Sequence, residues 1–165
     1  MITAEREFID IVADILFHPE FMQLKNFKHH TTNRYEHVVL VSYLSYKNAR
    51  KLNLDYRSAA RGGLLHDFFL YDWREYTRKR GGGGRHFTLH PKTALKNSRR
   101  YFKLNEIEED IIVKHMWPST LYLPRYKESL LVSFVDKYVS VREYMAALRW
   151  VNPIVSKLNL DDFFV

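Results

Sequence analysis

Cysteine is missing from this 165-residue chain, which excludes disulfides, thiolate metal sites and cysteine nucleophiles. Long apolar runs are missing too. The longest uncharged apolar stretch, Val38 to Tyr46, falls far short of the ~20 residues that span a bilayer. The opening MITAEREFIDIV carries acids where a secretory leader needs a basic region. A soluble, cytoplasmic protein is the expectation. Glycine and proline are scarce at 6 and 5 residues, while hydrophobic residues make up 46% and charged residues 27%. That balance excludes collagen-like, disordered and low-complexity classes. The length suits one domain over residues 1–165, able to bury roughly two-thirds of its unfolded surface without staples.

Positive charge is in excess and unevenly placed. The net charge is +7, yet ten basic residues and one acid fall between Arg74 and Lys103, so that segment alone is +9. A one-sided basic field attracts phosphates, nucleotides or nucleic acid, although a solvated basic surface would read the same way.

Apolar residues recur at helical intervals nearly throughout, and no stretch reads convincingly as a strand. Phe8, Ile11, Val12, Ile15 and Leu16 form one stripe, stopped by Pro19. Asn33 suits the N-cap of a long helix bearing Leu40, Val41, Leu44 and Leu52. Asp55 can cap the next, which runs through Gly62 and Gly63 to His66-Asp67 and whose glycines permit close helix approach. Gly81 to Gly84, flanked by Arg78-Lys79-Arg80 and Arg85, read as a mobile loop. Pro91 suits the first turn of a further helix reaching about Phe102. Asn105 can cap another that ends at His115, before Trp117-Pro118, and a last helix is predicted from Lys127 to about Trp150. The fold class is therefore all-α, a bundle of about six or seven helices.

Eight histidines raise the question of a metal, because neutral imidazole is the commonest metal ligand. His66-Asp67 ends a small-residue helix, AARGGLLHD, so both side chains can project into a cleft. His37 and His90 lie at predicted helix starts and His115 at a helix end. Asp136 sits in the apolar run LLVSFVDKY, where an unpaired carboxylate is costly. These six donors could converge in a bundle core. His18, beside Pro19, reads as a surface or helix-end residue, and His29 and His30 either end a loop, the favoured reading, or line the cleft.

The stretches YEHVVLVSYLS, GGLLHDFFLYDW, HPKTALKN, IIVKHMWP and SFVDKY together resemble the HD-domain metal-dependent phosphohydrolases. The likeness covers roughly residues 30–145 and is particular to small stand-alone bacterial members bearing HDFFLYDW and KHMWP segments. It implies an HD-domain-like helical bundle. It also implies that His37, His66, Asp67 and Asp136 hold one ion and that Asp67, His90 and His115 hold a second, with Asp67 bridging. Imidazole and carboxylate donors without thiolate suit one or two divalent ions among Mn, Fe, Co, Ni and Zn. Many relatives bind one ion only. A rival alignment would make His86 the ligand in RHFTLHP; with His90 preferred for its His-Pro context, His86 becomes a candidate substrate contact. Many relatives also continue the pair as His-Asp-x-Gly-Lys, whereas this chain reads His66-Asp67-Phe68-Phe69-Leu70. The nearest polar substitutes for that lysine are Asp72, Arg74 and, from the other side, Arg85 and Lys137. Asp72 could protonate a leaving oxygen or merely cap a short helix starting at Trp73.

The expected activity is metal-dependent hydrolysis of a phosphate monoester or small nucleotide, with an anionic phosphate-containing small molecule as partner and no membrane. An HD-type diiron oxygenase would use the same donor types. A basic nucleotide- or nucleic-acid-binding module with an idle site is a third reading, resting on Tyr76, Phe87, Tyr101 and Phe102 interleaved with the basic residues. Those aromatics have helical spacing that core packing explains better, and no nucleic-acid motif accompanies them.

Overall fold

The computed structural model describes residues 3–29, 32–72 and 84–147. Within them lie seven α-helices: α1 (Ala4–Leu16), α2 (Pro19–Met22), α3 (Arg34–Lys51), α4 (Tyr56–Leu65), α5 (Gly84–Tyr101), α6 (Glu106–Lys114) and α7 (Lys127–Ala147). Arg74, Tyr76, His30, most of the glycine-rich loop and the predicted end of the last helix at Trp150 lie outside the described residues.

Four of these helices begin where the sequence supplies an acceptor for the unpaired N–H groups of a first turn. Thr3, Asn33, Asp55 and Asn105 cap α1, α3, α4 and α6, each accepting from a backbone N–H two or three residues on. At Asn105 the cap is reciprocal, because Glu108 reaches back to the Asn105 N–H. The turn after α3 needs a left-handed residue, and Asn53 supplies it with φ of 53° while Leu54 N–H closes onto Ala49 O.

Two expectations are corrected. Residues 28–33 contain a two-residue antiparallel ribbon, pairing Lys28 with Asn33 and His29 with Thr32, too short to leave a periodic signal. More substantially, α5 starts at Gly84, so Pro91 lies inside the helix and His90 does not start it. Proline lacks one N–H and crowds the preceding turn, a cost of ~3 kcal/mol in a helix interior. His90, Pro91 and Ala94 are all buried, and the packing of that face offsets the cost.

The all-α bundle is built around α3. Its VVLVSYLSY run is apolar on nearly every side, so it belongs in the middle, and twelve of its eighteen residues are buried. On one side, Val38, Val39 and Tyr46 join Phe8, Val12, Ile15, Leu16, Leu64 and Phe68 in one apolar cluster. On the other, Leu40 and Val41 meet Ile111, Val132 and Val139. Helix α4 fits between its neighbours because it is small. A methyl group on Gly63 would stand 3.1 Å from Ser42 Cα, and one on Gly62 would stand 2.6–3.0 Å from three atoms of Ile111. That close approach brings the end of α4, with His66-Asp67, into the bundle centre. Among the described residues, no helix is long and apolar enough to cross a membrane.

Candidate metal centre

The six predicted donors come from five separate elements and meet in the core. His37 is on the first turns of α3, His66 is the C-cap of α4 with Asp67 next to it, His90 is on α5, His115 is the C-cap of α6, and Asp136 is on α7. All six are buried. Two groups have ligand atoms within 4.8 Å of one another, His37 with His66 and Asp67, and Asp67 with His90 and His115. Asp67 is common to both.

Four imidazoles form a row. Ring centroids are 5.6 Å apart between His37 and His66, and 4.9 Å apart both between His66 and His115 and between His115 and His90. A carboxylate serves each end. Asp136 Oδ1 lies 3.2 Å from His37 Nε2 and 3.6 Å from His66 Nε2. Asp67 Oδ1 lies 3.3 Å from His90 Nε2 and 3.6 Å from His115 Nε2.

The outer nitrogens decide what the inner ones can do. His66 Nδ1 donates to Gly63 O at 2.7 Å, and His115 Nδ1 donates to Ile112 O at 2.8 Å. A proton used there leaves Nε2 as a lone pair in the neutral ring, aimed at the cluster. The lone pair of His66 Nε2 is buried without a hydrogen-bond partner, an arrangement that costs free energy unless a cation occupies the space it faces. His90 Nε2 and His115 Nε2 face each other at 2.9 Å. His37 is anchored by a carboxylate, with Nδ1 at 3.1 and 3.2 Å from the two oxygens of Glu143. Anchoring the distal nitrogen in this way fixes tautomer and ring orientation in metal-binding histidines. The donor set fits one or two divalent ions.

Charge is finely opposed inside the cluster. Burial lowers the His37 pKa, but hydrogen bonds and charge from Asp136 and Glu143 outweigh it and raise the value to about 10. Burial, reinforced by His66 and His90, drives His115 down to about 3. Burial raises Asp136, yet its contacts with His37 and His66 win and hold it well below the ordinary carboxylate range.

The remaining predicted residues fall around this centre. Lys137 is half-buried, donating to His115 O at 2.7 Å and to Ser133 Oγ at 3.2 Å, with Asp136 Oδ2 3.8 Å away. Burial pushes its ammonium below the ordinary value, with Asp136 opposing. Asp72 is exposed at the edge of the described residues. Arg85 and His86 belong to the first turn of α5, but their side chains lie outside the described residues, as do Arg74 and Trp73 entirely. His18 caps α2 through Nδ1, accepting from Glu20 N at 3.2 Å, the helix-end one of its two sequence readings. His29 enters the ribbon, and its side chain is not among those described. Tyr101 and Phe102 pack against the core, whereas Phe87 is about half exposed.

Two residues escaped the sequence reading. Glu143 lies seven residues after Asp136, two helical turns along the same face, and that spacing was the available signal. Arg34 lies three residues before His37 and is fully buried. A basic residue next to an N-cap reads as solvated, so only the fold reveals it.

The family model for the HD domain matches residues 34–140, about two-thirds of the chain, and spans all six donors. The chain belongs to the HD-domain family, a superfamily of metal-dependent phosphohydrolases. No curated protein and no solved structure matches it.

Proposed function

We propose that this protein is a phosphohydrolase that cleaves a phosphate monoester or small nucleotide with water activated at a divalent metal centre. The observation that carries the reading is the sharing of Asp67 between two buried His/Asp groups in which the distal nitrogens of His37, His66 and His115 are already engaged. Mn, Fe, Co, Ni or Zn held by His37, His66, Asp67, His90, His115 and Asp136 would activate water and neutralise phosphoryl charge.

The chain's own residues supply the rest. Arg74, Arg85, His86 and Lys137 bind the anion from the basic segment and from α7, which replaces the lysine missing after the His-Asp pair. As the water oxygen bonds to phosphorus and the P–O bond to the leaving group breaks, the water gives up a proton to solvent, and Asp72 relays a proton taken from solvent to the departing oxygen. Lys137, tied to the His115 carbonyl, couples the position of that charge to the end of α6.

Metal analysis of protein purified without chelator tests the reading, with one to two transition-metal ions per chain expected. Asp67→Asn should remove most of the metal, because Asp67 is the donor common to both groups. Full occupancy in that variant overturns the assignment. Hydrolysis of a phosphate ester should proceed under nitrogen and with Mn or Co, whereas strict dependence on iron and O₂ would mark an oxygenase. Arg74→Ala and Arg85→Ala should raise KM and leave metal content unchanged, the signature of lost substrate binding.

A further inference from the structure

Between Asp67 and Asp72 the chain leaves helical geometry while still in the interior. Backbone carbonyls in such a stretch must find donors elsewhere. Asn97 Nδ2 donates to Phe68 O at 2.9 Å. Arg34 supplies two more hydrogen bonds, to Phe69 O and to Tyr71 O.

Arg34 does more than cap these carbonyls. Its side chain is fully buried, and its guanidinium lies 3.6 Å from the centroid of the Phe69 ring and 5.2 Å from that of Phe27. The Phe69 ring in turn lies 5.3 Å from His90, tilted by 50°. The order is thus Arg34, Phe69, His90, with Asp67 two residues before Phe69 on the same strand of chain. Burying a guanidinium costs several kcal/mol and is sustained only by tight, well-directed contacts. A planar group that stacks on a ring and also donates in two directions is something arginine provides and lysine does not.

We infer that Arg34 is a positioning residue for the Asp67–His90–His115 half of the centre, holding the Phe68–Tyr71 turn so that the Phe69 ring braces His90. The inference rests on the two-ion form of the proposed function, in which Asp67, His90 and His115 hold a second ion, and assigns a role within it. The other half shares Asp67 but lacks His90, the residue the Phe69 ring braces, and its own histidines are held elsewhere, His37 by Glu143 and His66 by Gly63 O. Loss of Arg34 therefore separates the two ions. A merely structural role would weaken both equally.

The test is a titration of chelator-stripped protein with Mn²⁺ alone, following bound ions per chain and the spin-coupled resonance of a manganese pair. Wild type should take up two ions. Arg34→Met should keep one ion at its wild-type affinity and bind the second at least tenfold more weakly, within the ~10–100-fold range seen when a ligand's supporting partner is removed. Arg34→Lys should not restore the second ion. Phe69→Leu keeps both arginine hydrogen bonds, which go to backbone, and removes the ring, so it decides the matter if Arg34→Met fails to fold. Phe69→Leu should likewise weaken only the second ion. Arg99→Met, which breaks an exposed pair with Glu109, serves as the control with no effect on either ion. Second-ion affinity within twofold of wild type in the folded variants, or equal weakening of both ions, overturns the inference. Fewer than two ions in the wild type itself overturns the two-ion reading, a result visible before any variant is made.

Discussion

Raising the pH of metal-free protein from 6.5 to 9 takes a proton from His37 in the unfolded chain but not in the folded one. Unfolded histidine titrates near 6.5. In the folded protein, Asp136 and Glu143 overcome the effect of burial and carry the value to about 10. The stabilisation from this group is complete below pH 6.5 and is lost as pH climbs toward 10. With one proton separating the two states, the slope is about 1.4 kcal/mol per pH unit, or ~3 kcal/mol by pH 9. For a protein of this size that amounts to a fall in Tm on the order of 10 °C. On the acid side the sign reverses. His115, lowered to about 3, refuses a proton that the unfolded chain accepts near 6.5. Asp136, held well below its ordinary range, costs further stability once the unfolded carboxylates are protonated. Stability of the metal-free protein should therefore peak near pH 6.5. Thermal melts of chelator-treated protein across pH 4–9 measure this directly. Glu143→Gln should make the alkaline fall shallower, and saturating metal should remove most of it, because a liganded His37 is already deprotonated. Metal uptake at pH 7.5 should accordingly release protons, read as a buffer-dependent heat in calorimetry. A Tm that is flat or rising between pH 6.5 and 9 without metal would refute the reasoning.

Gly62→Ala should destabilise the fold by about 1–3 kcal/mol in urea titrations, since the new methyl would collide with Ile111 Cβ at 2.9 Å and the gain in helix propensity is smaller than the strain. Unchanged or raised stability would show that α4 and α6 can separate freely. Asn105→Ala should cost about 1 kcal/mol, read as a lower urea midpoint, because it removes the acceptor of the Glu108 N–H and the donor to Ser58 Oγ. Metal content should be unaffected.

Helix starts were the most legible feature because their determinants are local. Asn33, Asp55 and Asn105 each cap a helix with an oxygen that reaches two or three residues forward, a pattern contained in four letters of sequence. The start of α5 was misread for the same reason. Pro91 is a strong local signal for a first turn, but the burial of His90, Pro91 and Ala94 is a property of the assembled bundle and overrides it. The six donors were legible as an ordered pattern with helical periodicity beneath them. Their partners were not. Glu143 meets His37 across 106 residues, and Arg34 meets Phe69 across 35. Apart from the seven-residue spacing of Glu143 from Asp136, nothing nearby in sequence distinguishes either from a solvated charge.

His66 and His115 share a device that bears on how such a centre is assembled. Each is a helix C-cap whose Nδ1 donates to the carbonyl three residues back, Gly63 O in one case and Ile112 O in the other. One hydrogen bond thus satisfies a leftover carbonyl at a helix end and chooses which nitrogen faces the cluster. Aim is written in four consecutive residues, whereas the gap between donors depends on packing between helices far apart in sequence. The two properties can fail separately. A core mutation that loosens the bundle leaves each imidazole correctly oriented but too distant, and a ligand that pulls the donors together restores the site without re-aiming any of them. Substituting either histidine has the opposite character: it removes a donor and uncaps a helix in one stroke, so the loss of stability that follows reports on the helix end as much as on the ion.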